Sequence, residues 1–217
     1  MTRWGMVIDL HRCIGCYSCM IACREEHFVP REIFFNRVLV SEKGKFPTVQ
    51  KLILPTQCNH CKEAPCVKVC PTGASTKRED GIVMVDDKKC VGCRYCVVAC
   101  PYQQRTAYED GKTEYFPRQG LTPYEVLGKQ IFPYKPGTVI KCTFCIERIE
   151  AGLKKGLKPG VDREATPACA ITCPTVTRTF GDLDDPESEV SRMIAYRKAL
   201  PLHPDFDTEP SIYYIHI

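Results

Sequence analysis

The chain of 217 residues has no run of 18 apolar residues, so no segment is expected to span a membrane directly. It has no Lys/Arg run and no patterned basic helix. Its formal net charge of +4 is spread along the sequence, which leaves no expectation of nucleic-acid binding. No apolar heptad persists, which excludes a coiled coil. The start, Met1-Thr2-Arg3-Trp4-Gly5, opens directly into a strand-like run with no twin arginine or apolar h-region, so no export signal is expected. No nucleotide fingerprint, flavin motif, catalytic Cys–His pair or open metal position is visible. Apolar side chains are also scarce. The hydrophobic share of 44% counts 16 Cys, and without them it falls to roughly 36%, thin for a globular chain. Something besides apolar packing must hold the interior.

The 16 Cys supply it. Cys13, Cys16, Cys19 and Cys23 read C-x2-C-x2-C-x3-C, and Cys90, Cys93, Cys96 and Cys100 repeat that spacing before Pro101. Cys58, Cys61, Cys66 and Cys70 read C-x2-C-x4-C-x3-C before Pro71; Cys142, Cys145, Cys169 and Cys173 read C-x2-C-x23-C-x3-C before Pro174. Eight disulfides would need an oxidising compartment and usually a smaller secreted chain. Structural zinc prefers pairs of C-x2-C hairpins, which the triple Cys with a fourth three residues on does not match. Iron–sulfur ligation matches directly, because C-x2-C-x2-C-x3-C-P is the bacterial ferredoxin spacing. The reading is four [4Fe–4S] clusters held by 16 thiolates. An oxidised cube with four thiolates carries about −2, so four of them turn the formal charge to about −4. Arg12, Lys62, Lys68, Lys88, Lys89, Arg94 and Lys141, near the motifs, are candidates for partial compensation.

The chain also repeats itself. Gly5 to Cys23 matches Gly81 to Cys100, each a short strand, an acidic turn, a Cys loop and a helical turn. Cys70-Pro-Thr-Gly-Ala is answered by Cys173-Pro-Thr-Val-Thr, so two motif types alternate. The expected fold is α+β: two bacterial-type two-cluster ferredoxin modules, one inserted into the other, with irregular loops and small β-hairpins. The inserted module is 58–101. The split module comprises 1–57 and 102–200, including a hairpin and a long connection, and 201–217 is a C-terminal docking tail. In ferredoxin spacing the fourth Cys ligates the other cluster of its pair. The expected sets are therefore Cys13, Cys16, Cys19 with Cys173; Cys58, Cys61, Cys66 with Cys100; Cys90, Cys93, Cys96 with Cys70; and Cys142, Cys145, Cys169 with Cys23.

Other segments say less. Arg37–Val40 and Val49–Leu54 around Lys43-Gly44 predict a hairpin. Residues 102–141 read as a long aromatic connection that serves as a docking surface. Asp184-Asp185-Pro186-Glu187 predicts a helix start, with Val190, Met193, Ile194 and Arg197 on one face. The tail lies along a partner or pairs as an edge strand. His11 and His60 flank Cys motifs and read as packing around the clusters, with hydrogen bonding to a cluster or proximity to quinone as the alternative. Tyr17 and Tyr95 read as shields against water.

On these motifs the chain resembles the four-cluster iron–sulfur subunit of molybdopterin oxidoreductases of the dimethyl sulfoxide reductase superfamily, the polysulfide, arsenate and thiosulfate reductases among them. The most specific segments are Cys58-Asn-His-Cys61-Lys-Glu-Ala-Pro-Cys66-Val-Lys-Val-Cys70-Pro-Thr-Gly-Ala, Lys141-Cys142-Thr-Phe-Cys145 and Gly181-Asp-Leu-Asp-Asp-Pro. The resemblance implies a subunit, non-catalytic by itself, of a molybdenum or tungsten oxidoreductase complex. It would relay single electrons between a molybdopterin-containing catalytic subunit and a quinone-binding integral membrane subunit. It implies a place peripheral to a bacterial or archaeal cytoplasmic membrane, either on the cytoplasmic face or exported with the catalytic subunit. A soluble polyferredoxin, or the electron-transfer subunit of a hydrogenase or formate-lyase complex, is the alternative.

Overall fold

The computed structural model describes residues 2–109, 114–116 and 118–216. The chain opens with β1 (Trp4–Asp9), α1 (Ser18–His27) and the hairpin β2 (Asn36–Lys43) and β3 (Gln50–Gln57). The middle holds α2 (Pro65–Lys68), β4 (Ser75–Lys77), β5 (Val83–Val85) and α3 (Tyr95–Val98). Then come β6 (Thr106–Tyr108), α4 (Pro123–Ile131), β7 (Thr138–Ile140), α5 (Ile146–Lys154) and α6 (Ala168–Ile171). The chain closes with β8 (Arg178–Asp182), α7 (Glu189–Arg197), β9 (Leu200–Pro201) and β10 (Ile212–Ile215).

The largest sheet has the order β8-β1-β10-β9. β1 pairs antiparallel with β8 (Met6 opposite Phe180) and parallel with β10 (Met6 opposite Ile212). Alternation of side chains then gives β1 two buried faces. Met6 and Ile8 join the main core with Phe144, Ile149, Phe180 and Tyr214, while Val7 packs with Val190, Ala199 and Ile215. Asp9, at the end of β1, is buried and ion-paired to Arg197 at 2.6 Å and to Arg12 at 3.5 Å. That pair fastens α7 to the start of the first Cys motif. α1 packs on α6, and α2 on α3 and β4.

Four sequence expectations differ in detail. The hairpin strands run from 36 to 43 and from 50 to 57, longer than the apolar core of each strand suggests. Residues 102–141 are not a bare connection among the described residues. β6 pairs with β7, and α4 is closed by a capping box, in which Thr122 accepts from the Glu125 N–H and Glu125 accepts from the Thr122 N–H. α7 begins after Ser188, whose hydroxyl caps the Ser191 N–H; Asp182 and Asp185 instead accept from backbone N–H groups in the turns before it. The tail expected at an edge or along a partner supplies an inner strand. β10 lies between β1 and β9, and Tyr214 is fully buried with its hydroxyl donating to the Pro55 carbonyl at 3.0 Å.

Candidate metal centres

The two C-x2-C-x2-C loops fold alike. Gly15 and Gly92 have φ of +68° and +71°, and Tyr17 and Arg94, one residue past the second Cys, have +61° and +64°. Left-handed turns at these points curl the backbone around its own cysteines. At Gly92 there is no room for more: a Cβ would lie 2.2 Å from the Gly137 carbonyl oxygen.

Among the described residues no three His, Cys, Asp or Glu side chains close on a single metal ion. The thiols ring voids instead. Cys13, Cys16, Cys19 and Cys173 line one, with Thr175, Thr177 and Arg178; Cys70, Cys90, Cys93 and Cys96 line another, with Thr72, Ala74 and Ser75. The remaining eight cysteines fall into two groups by the thiols that act on each other. Cys61 feels Cys58, Cys66 and Cys100; Cys145 feels Cys169, Cys23 and Cys142. The two groups adjoin where Cys58 acts on Cys142.

The donor chemistry of these sites fits iron–sulfur cubes. Burial pushes Cys61 and Cys142 up to about 12 and Cys23 and Cys145 well above their ordinary value, with neighbouring thiols adding to the rise. Thiols buried this closely together become thiolates only when positive charge sits among them. Backbone N–H groups already point at sulfur: Ser75 at Cys70 (3.4 Å), Gln104 at Cys100 (3.5 Å), Phe144 at Cys142 (3.4 Å) and Thr177 at Cys173 (3.3 Å). Burial works to raise Cys70 and Cys173. Hydrogen bonds from Ser75 and Thr72 to the first, and from Thr175 and Thr177 to the second, outweigh it and hold both below the ordinary thiol value.

Around the thiols, His60 is fully buried and stacks on Phe144 at 3.9 Å. Its Nδ1 accepts the Val83 N–H at 3.0 Å, which leaves the proton on Nε2, for which no partner is found among the described residues. His11 is exposed, its Nε2 2.7 Å from the His216 carbonyl oxygen, and Tyr17 and Tyr95 are exposed as well. His27, not singled out by the sequence, brings Nε2 to 3.1 Å from Cys145 Sγ. Burial lowers its pKa to about 4, Glu26 opposing and Arg148 adding to the drop. Of the seven basic residues named as compensation, only Lys141 is buried. Among the described residues the other buried cations are Arg105 and Arg178. Both have a sequence signal: each stands five residues after the last Cys of its motif, in Cys100-Pro-Tyr-Gln-Gln-Arg105 and Cys173-Pro-Thr-Val-Thr-Arg178.

Two family models described as "4Fe-4S dicluster domain" match the chain, over residues 49–116 and 12–74. A provisionally named dimethyl sulfoxide reductase iron–sulfur subunit of Halobacterium salinarum is 42% identical, over all of this chain and 80% of its own length. The arsenate respiratory reductase iron–sulfur subunit of a Shewanella species is 35% identical over 98% of this chain and 96% of its own. A tetrathionate reductase subunit of Salmonella typhimurium is 38% identical over 98% and 72%. The chain belongs to the iron–sulfur subunits of the dimethyl sulfoxide reductase superfamily.

As a member of that family it is an electron-transfer subunit carrying four [4Fe–4S] clusters, and its family implies a molybdopterin catalytic partner. When bound, the clusters supply one-electron transfer at potentials set by net charge, hydrogen bonds and solvent access. The polypeptide contributes the thiolates, the N–H groups aimed at them and the dry surroundings. No helix among the described residues is long and apolar enough to cross a membrane.

Proposed function

We propose that the four cubes form a single wire between the molybdopterin subunit and a quinone-binding integral membrane subunit, peripheral to the membrane. The ligand sets are Cys13, Cys16, Cys19 and Cys173; Cys142, Cys145, Cys169 and Cys23; Cys58, Cys61, Cys66 and Cys100; and Cys90, Cys93, Cys96 and Cys70, in that order along the wire. The carrying observation is the lining of the two voids, each of which mixes three cysteines of one motif with the last of another. The order is supported by the action of Cys19 on Cys23 at one junction and of Cys58 on Cys142 at the next. In this reading 58–101 is a ferredoxin module inserted into one made of 1–57 and 102–200. The family match over 12–74 runs through the first two motifs in chain order. A match of this kind compares linear spacing, whereas the void linings are spatial, and they weigh more on which thiols share a cube.

Both outer sets have an apolar collar at equivalent repeat positions. Ile14 and Ile21 are 64% and 60% exposed beside the first, Val91 and Val98 68% and 85% beside the last. Paired apolar surface at both outer sets favours two protein partners over a freely diffusing carrier. The test has two arms. Cys16→Ala, Cys173→Ala and the double variant should each lose the same four iron atoms; a double variant that loses eight refutes the shared cube. Anaerobic purification of the native complex should recover a pterin subunit and a quinone-reactive membrane subunit. A chain recovered alone and reduced by a soluble enzyme would refute the wire and favour the polyferredoxin.

A further inference from the structure

Arg105, Lys141 and Arg178 are each 3–4% exposed. Among the described residues none has a carboxylate partner; the anionic groups that act on them are almost entirely cysteines. A lone buried cation is costly to desolvate, so three of them in a small protein need a common explanation.

Their positions provide it. Arg178 lines the void of Cys13, Cys16, Cys19 and Cys173 and also acts on Cys169 and Cys23 of the next set. Neutral groups hold it there: Asn36 Oδ1 accepts from Nη2 at 2.8 Å and Gln57 Oε1 accepts from Nη1. Lys141 donates to the carbonyl of Cys142 at 2.7 Å and to that of Val83, whose N–H bonds His60 between Cys58 and Cys61. It therefore stands where the second and third sets adjoin. Arg105 donates through Nη1 to Ser75 Oγ at 2.7 Å, and Ser75 lines the void of the last set. Cys66 and Cys58 of the third set and Cys96 of the last act on it. Its Nε and Nη2 are buried with no oxygen acceptor among the described residues, and the Cys96 thiol is a hydrogen-bond partner of the guanidinium.

We propose that these three cations form a charge ladder, one in each gap between successive cubes, and that each raises the potentials of the two cubes it separates. The proposal rests on the ligand sets above. A reduced cube repels an electron from its neighbour, and in a dry interior that repulsion is little screened. A fixed cation between them stabilises the reduced form of both. Carboxylates would cancel this effect; neutral amides, a hydroxyl and backbone carbonyls leave it intact.

The test is redox titration of the cluster spectroscopic signals in the purified complex, with iron and sulfide counted in each sample. Arg105→Gln should lower the two cubes of the middle module at least tenfold in reduced-to-oxidised ratio at a given potential, about 59 mV for one electron. The first cube along the wire should stay in place. Arg178→Gln should do the reverse, moving the first two cubes and sparing the last. Arg105→Lys and Arg178→Lys, which keep the charge, should stay close to the wild type. Unchanged potentials in a four-cube Arg105→Gln protein overturn the ladder, as does an equal shift of all four cubes. Loss of a cube in both the Gln and the Lys variants also overturns it, because the guanidinium shape would then be what matters. A wild-type complex without four cubes would refute the ligand sets themselves, apart from any variant.

Discussion

Gly152 is where a single methyl group should loosen the packing of α5 on the turn before α6. It sits on α5, which follows Cys145, and faces Ala165 in the short turn leading to Cys169. A Cβ on Gly152 would lie 2.3 Å from the Ala165 Cβ and 2.8 Å from its Cα. Carbon atoms pack at 3.5–4.0 Å, so the two segments must separate by about 1.2 Å. Ala165 has no room to retreat. It is fully buried, and Arg148 on α5 clamps the same turn by donating to the Thr166 and Arg163 carbonyls at 2.9 and 2.7 Å. Overpacking of this kind costs about 1–3 kcal/mol, and the better helix propensity of Ala returns at most about 1 kcal/mol. Gly152→Ala should therefore destabilise by about 1–2 kcal/mol. For a chain of this size that lowers the apparent midpoint by roughly 2–8 °C, read as thermal loss of cluster absorbance with iron retention. The reciprocal double variant, Gly152→Ala with Ala165→Gly, should recover at least half of the loss. A single variant as stable as wild type, or a double variant no better than the single, would refute the close-approach argument.

Three other outcomes are expected. Anaerobically purified protein should contain about 16 Fe and 16 acid-labile sulfides, and zinc-dominated metal or about 12 Fe would contradict four complete cubes. Glu125→Gln should cost about 1–2 kcal/mol, because the carboxylate accepts from the Tyr115 N–H at 2.5 Å and the Thr122 N–H at 2.6 Å. Burial works to raise its pKa, but those hydrogen bonds outweigh it and hold it below the ordinary value. Its stabilisation is thus complete above the unfolded glutamate pKa and lost as pH falls through the lower folded one; a variant with the wild-type acid-unfolding profile would count against this. Deleting residues 174–217 removes both neighbours of β1 and should cost the iron of the Cys13 end before that of the Cys90 end. Equal loss at both ends would argue against the nested modules.

The cofactor content was legible because ligand spacing is local: three of the four motifs fall within 11 to 13 residues, and the fourth, from Cys142 to Cys173, within 32. The alternation of motif types was legible for the same reason. Strand pairing was not. Nothing near Tyr213 or Tyr214 signals that β1, almost the whole chain away, will be its neighbour, so an inner strand reads as a tail. The start of α4 is written in the sequence, since Thr122-Pro123-Tyr124-Glu125 spells a capping box, but the aromatic residues around it suggest a loop. Asp184 and Asp185 outweigh Ser188 as a helix signal because acidic residues serve turns and caps alike. Arg105 and Arg178 carry a shared offset from Cys, but their burial depends on Ser75, Asn36 and Gln57, which come from distant segments.

The position of β1 between β8 and β10 also sets a timetable for biosynthesis. β1 leaves the ribosome before either of its partners, and Ile212 is made about 200 residues after Met6, an interval of roughly 10–40 s at ordinary translation rates. Of its two neighbours β8 is made first and β10 last, and on the proposed ligand sets Cys13, Cys16 and Cys19 lack their fourth thiolate until Cys173 is made, shortly before β8. On the same proposed sets, the stretch from Cys58 to Gln104 would hold every ligand of two cubes long before β8 and β10 are made. On these sets assembly should proceed from the middle outward: the stretch around Cys58 can accept cubes on the nascent chain, while the segment bearing Cys13 must wait, its thiols open to oxidation, for Cys173 and then for β8 and β10 to flank β1.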